Sequence, residues 1–237
     1  MGGLQRFLAP PDAGGDPGSE AGARAQQWRL IAWIVLVGIL VAAGYAVRAT
    51  GGEPDRDALY KSATAVGALV QDGFMLVLIF GIAGSAALFA LRHPRSWPRA
   101  LGLALLVLIV IAAVSAGLEQ VLHAGREQGL TPDRWDPSRA GAYTFNFIVI
   151  AAFVPIVEES TFRGVGYSLL SRFGTPVAIA GSALAFALAH GLLQGLPTLL
   201  IFGAGLAWLR YRTGSIIPGI AVHAAFNTIS LIAAVTT

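Results

Sequence analysis

Two adjacent glutamates, Glu158 and Glu159, interrupt the apolar stretch 153–167, and an arginine, Arg163, follows them. Further along, His190 closes the run FALAH, and His223 and Asn227 bracket the run HAAFN. Charged groups in apolar surroundings are costly unless paired. Inside a membrane they mark ion paths, proton relays or reactive centres. Glu159 and Arg163 are four residues apart with the acid on the N-terminal side, the favourable orientation for a helical ion pair. Glu158 lies about 100° further around the same helix. Arg163 can therefore neutralise Glu159 and leave Glu158 on another face. A purely structural ion pair would need one carboxylate and leave the second surplus. Phe186 and His190 share a helix face by the same four-residue spacing, as do His223 and Asn227. Glu158, His190 and His223 also form a donor set that suits a catalytic divalent metal such as Zn2+ with one position open. Asn227 by itself suits interhelical hydrogen bonding equally well.

The elements that carry these residues are membrane helices. Of 237 residues, 55% are hydrophobic and 12% charged, against roughly 25% charged in soluble domains. Mean hydropathy is +0.68. Apolar runs of about 18 residues or more predict an all-α membrane protein with about seven transmembrane helices. They fall at 30–47, 73–91, 100–118, 142–170, 176–194, 197–212 and 215–236. The alternating pattern of a β-barrel is not present. Residues 1–29, rich in Pro and Gly, read as a flexible tail, and the first apolar run as a retained helix. Residues 30–141 read as three N-terminal transmembrane helices followed by the polar connection 119–141, with a short helix expected from Thr131-Pro132. Residues 142–237 form a four-helix core that holds the candidate residues. Asp72 is read as a lone charge near a helix end. Pro155, just before the glutamates, is expected to kink or loosen its helix. Gly191 and Gly195 have the spacing of a helix-packing motif. His93 and His123 lie in loops and receive no role. The chain has no cysteine, which excludes disulfides and thiolate chemistry, and it carries no nucleic-acid signature.

Counting residues between turns predicts that three of the reactive side chains share one depth. Glu158 stands 16 residues before the turn at Gly174 and His190 stands 16 after it, so both lie roughly 24 Å from that turn. His223 is nine residues past the turn at Thr213-Gly214, which brings it to the same level, about 9 Å from the side of Gly195. The short loops 92–99, 171–175 and 210–214 carry arginine and no acid. The positive-inside rule then gives a cytoplasmic N-terminus. Fifteen arginines against one lysine, with abundant Ala and Gly, point to a bacterial cell membrane as the location.

The three stretches EESTFRG, FALAH and HAAFN, in that order, resemble the EExxxR, FxxxH and HxxxN motifs of the CPBP family. These are the CAAX-protease and bacteriocin-processing intramembrane endopeptidases, also called the Abi family. The resemblance covers about 142–236. It implies hydrolysis of a peptide bond in a hydrophobic or membrane-anchored peptide. Glu158 and His190 would then bind and activate a water. His223 and Asn227 would hold the developing oxyanion. Glu159 and Arg163 would orient Glu158 and balance its charge, and Phe186 would shape the pocket. The resemblance suits both a metal-bound water, with Glu158, His190 and His223 as ligands, and a metal-free mechanism. The residues alone also fit a proton-coupled transporter or a non-catalytic membrane scaffold of the same fold. Partners expected from this reading are the lipid bilayer and a hydrophobic peptide.

Overall fold

The computed structural model describes residues 17–51, 55–124, 127, 129–130, 132 and 134–236. They are helical throughout their ordered elements, with no strand among them. Seven helices follow in order: α1 Pro17–Thr50, α2 Ser62–Ala83, α3 Trp97–Leu122, α4 Pro137–Phe173, α5 Thr175–Ala189, α6 Leu196–Thr213 and α7 Ile217–Thr236. The chain is an all-α integral membrane protein. Five helices, α1 to α4 and α7, are long and apolar enough to cross a bilayer. The fifteen residues of α5 reach only about 22 Å, short of a hydrocarbon core of about 30 Å.

α5 stops at Ala189, five residues short of the expected 194, and two other helices depart further from the ranges expected of them. α1 begins at Pro17, so residues 17–29 of the expected tail are helical. Residues 1–16 lie outside the described residues. The stretch is rich in the good helix formers Ala, Gln and Arg, and Arg24 donates to Glu20 one turn earlier at 3.0 Å. α2 lies about two to three turns ahead of the predicted 73–91. Gly84, with φ +58, closes it in the left-handed conformation. The apolar residues that follow form a single 3₁₀ turn, Ala86–Phe89, started by the Ser85 hydroxyl accepting the Ala87 N–H. This shift moves Asp72 from a helix end to the middle of α2. The short helix expected from Thr131-Pro132 begins outside the described residues. At the entry to α4, Asp136 accepts from Ser138 and from Arg139, and these hydrogen bonds hold its carboxyl below the usual range.

α4 is the central element. α1, α2, α5 and α7 all pack against it, while α3 lies against α6 and α7. A single apolar core joins α1 (Leu30, Trp33), α2 (Ile79), α3 (Ile111), α4 (Phe162, Val165) and α6 (Leu206). The tightest contact is Trp33 against α4. Its indole N–H donates to the Thr161 carbonyl at 3.0 Å, and its ring fills the space that a side chain at Gly166 would need.

Candidate active site

Glu158, Glu159 and Arg163 stand on α4 where its hydrogen bonding changes. Pro155 has no N–H, and a normal helix would lose a bond there. The helix remains unbroken because the residues around it widen into π-helix, Val149–Phe153 before and Glu159–Gly166 after. The Val154 N–H, for example, bonds the Val149 carbonyl, five residues back. The loosening expected at Pro155 takes the form of two π segments, a feature common at functional sites.

Behind the site lies a sealed ion pair. Glu159 and Arg163 are both 0% exposed. Arg163 Nη1 donates to Glu159 Oε1 at 2.9 Å, and its guanidinium lies 4.2 Å from the centre of the Phe186 ring. A buried charge left without its partner is strongly destabilising, so each holds the other in place. The same Glu159 Oε1 stands 3.1 Å from His223 Nδ1.

In front, Glu158 and the two histidines meet. His223 Nε2 is 3.5 Å from Glu158 Oε2, and His190 Nε2 is 4.0 Å from Glu158 Oε1. His190 Nδ1 is 2.8 Å from the Phe186 carbonyl, which can only accept, so this nitrogen carries the hydrogen. The Arg163-bound Glu159 carboxylate makes the same demand of His223 Nδ1. Both imidazoles therefore turn Nε2 toward Glu158, one to each carboxylate oxygen. These separations, 3.5 and 4.0 Å, are longer than a hydrogen bond. Glu158 and His190 remain partly exposed, whereas His223 is almost closed off. Phe186 forms the wall, 4.5 Å between ring centres from His190 and 5.9 Å from His223.

The structure thus brings Glu158, His190 and His223 together at the common depth that the residue count predicts, with Glu159, Arg163 and Phe186 around them. Asn227 stands one turn beyond His223. Its amide donates to the Ile150 carbonyl, in the first π segment, at 2.9 Å, and among the described residues nothing takes its second amide hydrogen. Among the described residues no group of three or more His, Asp or Glu side chains already forms a metal-holding cluster.

Two neighbours of the site escape sequence reading. Asp72 is 5% exposed, in the middle of α2, on the face that buries Ala65, Met75, Ile79 and Ala83 against the bundle. It lies within Coulombic reach of Glu158. Correct placement of the Gly84 stop would have put it inside the span. Glu127, in the polar connection, accepts the backbone N–H groups of Leu193, Gln194 and Gly195 at 2.8, 2.8 and 2.9 Å. It also pairs with Arg48 at the end of α1. It thereby fastens the turn that follows His190. Gly191 in that turn has φ +66, and a Cβ there would stand 2.6 Å from the Gly44 backbone carbonyl carbon. Gly191 is therefore a turn and contact point with α1, not half of a regular helix-packing motif.

No curated protein and no solved structure matches the chain. A family model does match, that of the Rce1-like, type II CAAX prenyl endopeptidases, over residues 140–229. The matched stretch contains Glu158, Glu159, Arg163, Phe186, His190, His223 and Asn227, and leaves α1 to α3 outside it. Residues 140–229, with the three motifs and the Glu158–histidine cluster they build, are thus similar to the Rce1-like, type II CAAX prenyl endopeptidases.

Proposed function

We propose that the protein is an intramembrane endopeptidase that hydrolyses a peptide bond in a hydrophobic or membrane-anchored peptide, with water activated by Glu158. The observation that carries this reading is the Glu158 carboxylate facing the Nε2 atoms of two imidazoles at 3.5 and 4.0 Å. That is where a water can sit against a base. Glu158 removes one proton from the water. The water oxygen bonds to the substrate carbonyl carbon, and the carbonyl π pair moves onto oxygen. The free amide hydrogen of Asn227 is one donor for that oxyanion. His223 becomes the second donor while its Nε2 holds the proton that Glu158 took from the water, which returns to Glu158 before the intermediate collapses, and Glu159 on its other nitrogen stabilises the imidazolium. Collapse of the intermediate restores the carbonyl and expels the amine, which takes the proton held by Glu158. His190 keeps the water in line. No step of this reading passes through a metal.

The test compares peptide termini in membranes containing wild type or Glu158→Gln, with both present at equal level. Termini found only with wild type, and retained after chelation, support the reading. Identical termini sink it in favour of a scaffold or transporter. Loss on chelation with recovery on added zinc replaces the metal-free route by a metal-bound one. Peptides with and without a prenylated cysteine decide the substrate class.

A further inference from the structure

A second polar cluster lies at the far end of α6, away from Glu158, and it has an excess of positive charge. Arg210, in the last turn of α6, is only 9% exposed. Its Nε is buried with no hydrogen-bond partner. Its guanidinium rests 5.3 Å from the Tyr167 ring of α4, and no acceptor bonds it among the described residues. Two more arginines come to the same place from the loop after α2. Arg92 Nε donates to the Gly214 carbonyl at 2.9 Å. The Arg95 guanidinium lies within 4.0 Å of where a Gly214 side chain would begin. Both are close enough to Arg210 to repel it. Among the described residues none of the three forms an ion pair with a carboxylate.

The position is built rather than incidental. The Arg95 N–H bonds the Thr213 carbonyl, the Ile216 N–H bonds the Ala90 carbonyl, and the Ser215 hydroxyl donates to the Arg92 carbonyl. These bonds stitch the loop to the turn between α6 and α7. The helix C-terminus favours cations there. That effect is worth less than the cost of a nearly buried guanidinium beside two others. Exposed Trp97 and Tyr211 flank the cluster, and aromatic side chains of this kind mark the headgroup level of a membrane.

We infer that Arg92, Arg95 and Arg210 form a phosphate site at the membrane surface, with Arg210 as its floor. Guanidinium forks match phosphate oxygens, and one phosphate relieves both the repulsion and the unused donors of Arg210. The phosphate is that of an anionic lipid headgroup or a free phosphate ion. This inference does not depend on the protease reading.

The test is thermal unfolding of the detergent-purified full chain, titrated with short-chain phosphatidylglycerol, with short-chain phosphatidylcholine, and with inorganic phosphate. Phosphatidylglycerol should raise the midpoint while phosphatidylcholine does not. Arg95→Gln, an exposed change, should weaken the apparent affinity about tenfold, as expected for one charge-assisted hydrogen bond. Arg210→Met should abolish the response and need no anion for its own stability. If inorganic phosphate alone gives the same midpoint shift, the site takes free phosphate. If neither phosphate source shifts wild type, or both shift Arg95→Gln and Arg210→Met as much as wild type, the inference is wrong.

Discussion

At the scale of single residues, the site is a stack of charges held in balance. Arg163 is the one cation behind it, and it neutralises a fully buried Glu159. Arg163→Met should destabilise the protein by about 3–5 kcal/mol, because it strands a buried carboxylate. The double variant Glu159→Gln with Arg163→Met should recover much of that loss. Urea or thermal unfolding of the three proteins decides it, and equal damage in the single and double variants would show that packing of Arg163 on Phe186 matters more than charge. Asp72 presents the opposite case, a buried carboxylate facing another, Glu158. Asp72→Asn removes a like-charge neighbour and should raise the thermal midpoint by about 2–4 °C. A lower midpoint would mean that the Asp72 charge is held by a favourable partner instead.

At the scale of elements, the placement of His190 depends on a turn rather than on a helix. α5 ends one residue before it, Gly191 turns left-handed against Gly44, and Glu127 binds the N–H groups of Leu193, Gln194 and Gly195. Glu127→Ala should free that turn. Hydrogen exchange at Leu193, Gln194 and Gly195 should quicken, and peptide hydrolysis should fall at least tenfold while α5 itself stays protected. Unchanged exchange at those three amides would show that Glu127 does not fasten the turn. This dependence also explains what the sequence discloses and what it hides. The three helices that carry Glu158, His190 and His223 are legible because helix periodicity and turn residues are local, and counting from Gly174 and Gly214 is enough to align their depth. The offset of α2 is hidden because a hydropathy window cannot distinguish the apolar 3₁₀ turn Ala86–Phe89 from more helix. The roles of Glu127 and Arg210 are hidden for a different reason. Each depends on partners that lie far along the chain or meet only through tertiary packing. The widening around Pro155 is hidden as well, because proline announces a lost hydrogen bond and not the way neighbouring residues will absorb it.

At the scale of the whole molecule, the stretch that matches the family model is not a self-contained unit. Residues 140–229 hold the reactive groups, yet their core is shared with α1, α2 and α3 through Leu30, Trp33, Ile79 and Ile111. Trp33 supplies a hydrogen bond to the Thr161 carbonyl between Glu159 and Arg163, within the second π segment. Asp72 and Glu127 reach the site from outside the matched stretch. A fragment beginning at residue 137 should therefore still insert its apolar helices, since insertion depends on each helix's own hydropathy. It should not hold Glu158 and His190 in register, because small-residue contacts and buried polar bonds, rather than the hydrophobic effect, drive helix association within lipid. Expressed alone, the fragment should be protease-sensitive and inactive. Expressed together with residues 1–136 as a separate chain, it should regain both protection and hydrolysis, since the contacts that join the two parts are non-covalent. Activity of the lone fragment equal to that of the full chain would show that α1 to α3 serve only as an anchor, and that the bond from Trp33 to α4 has no part in shaping the site.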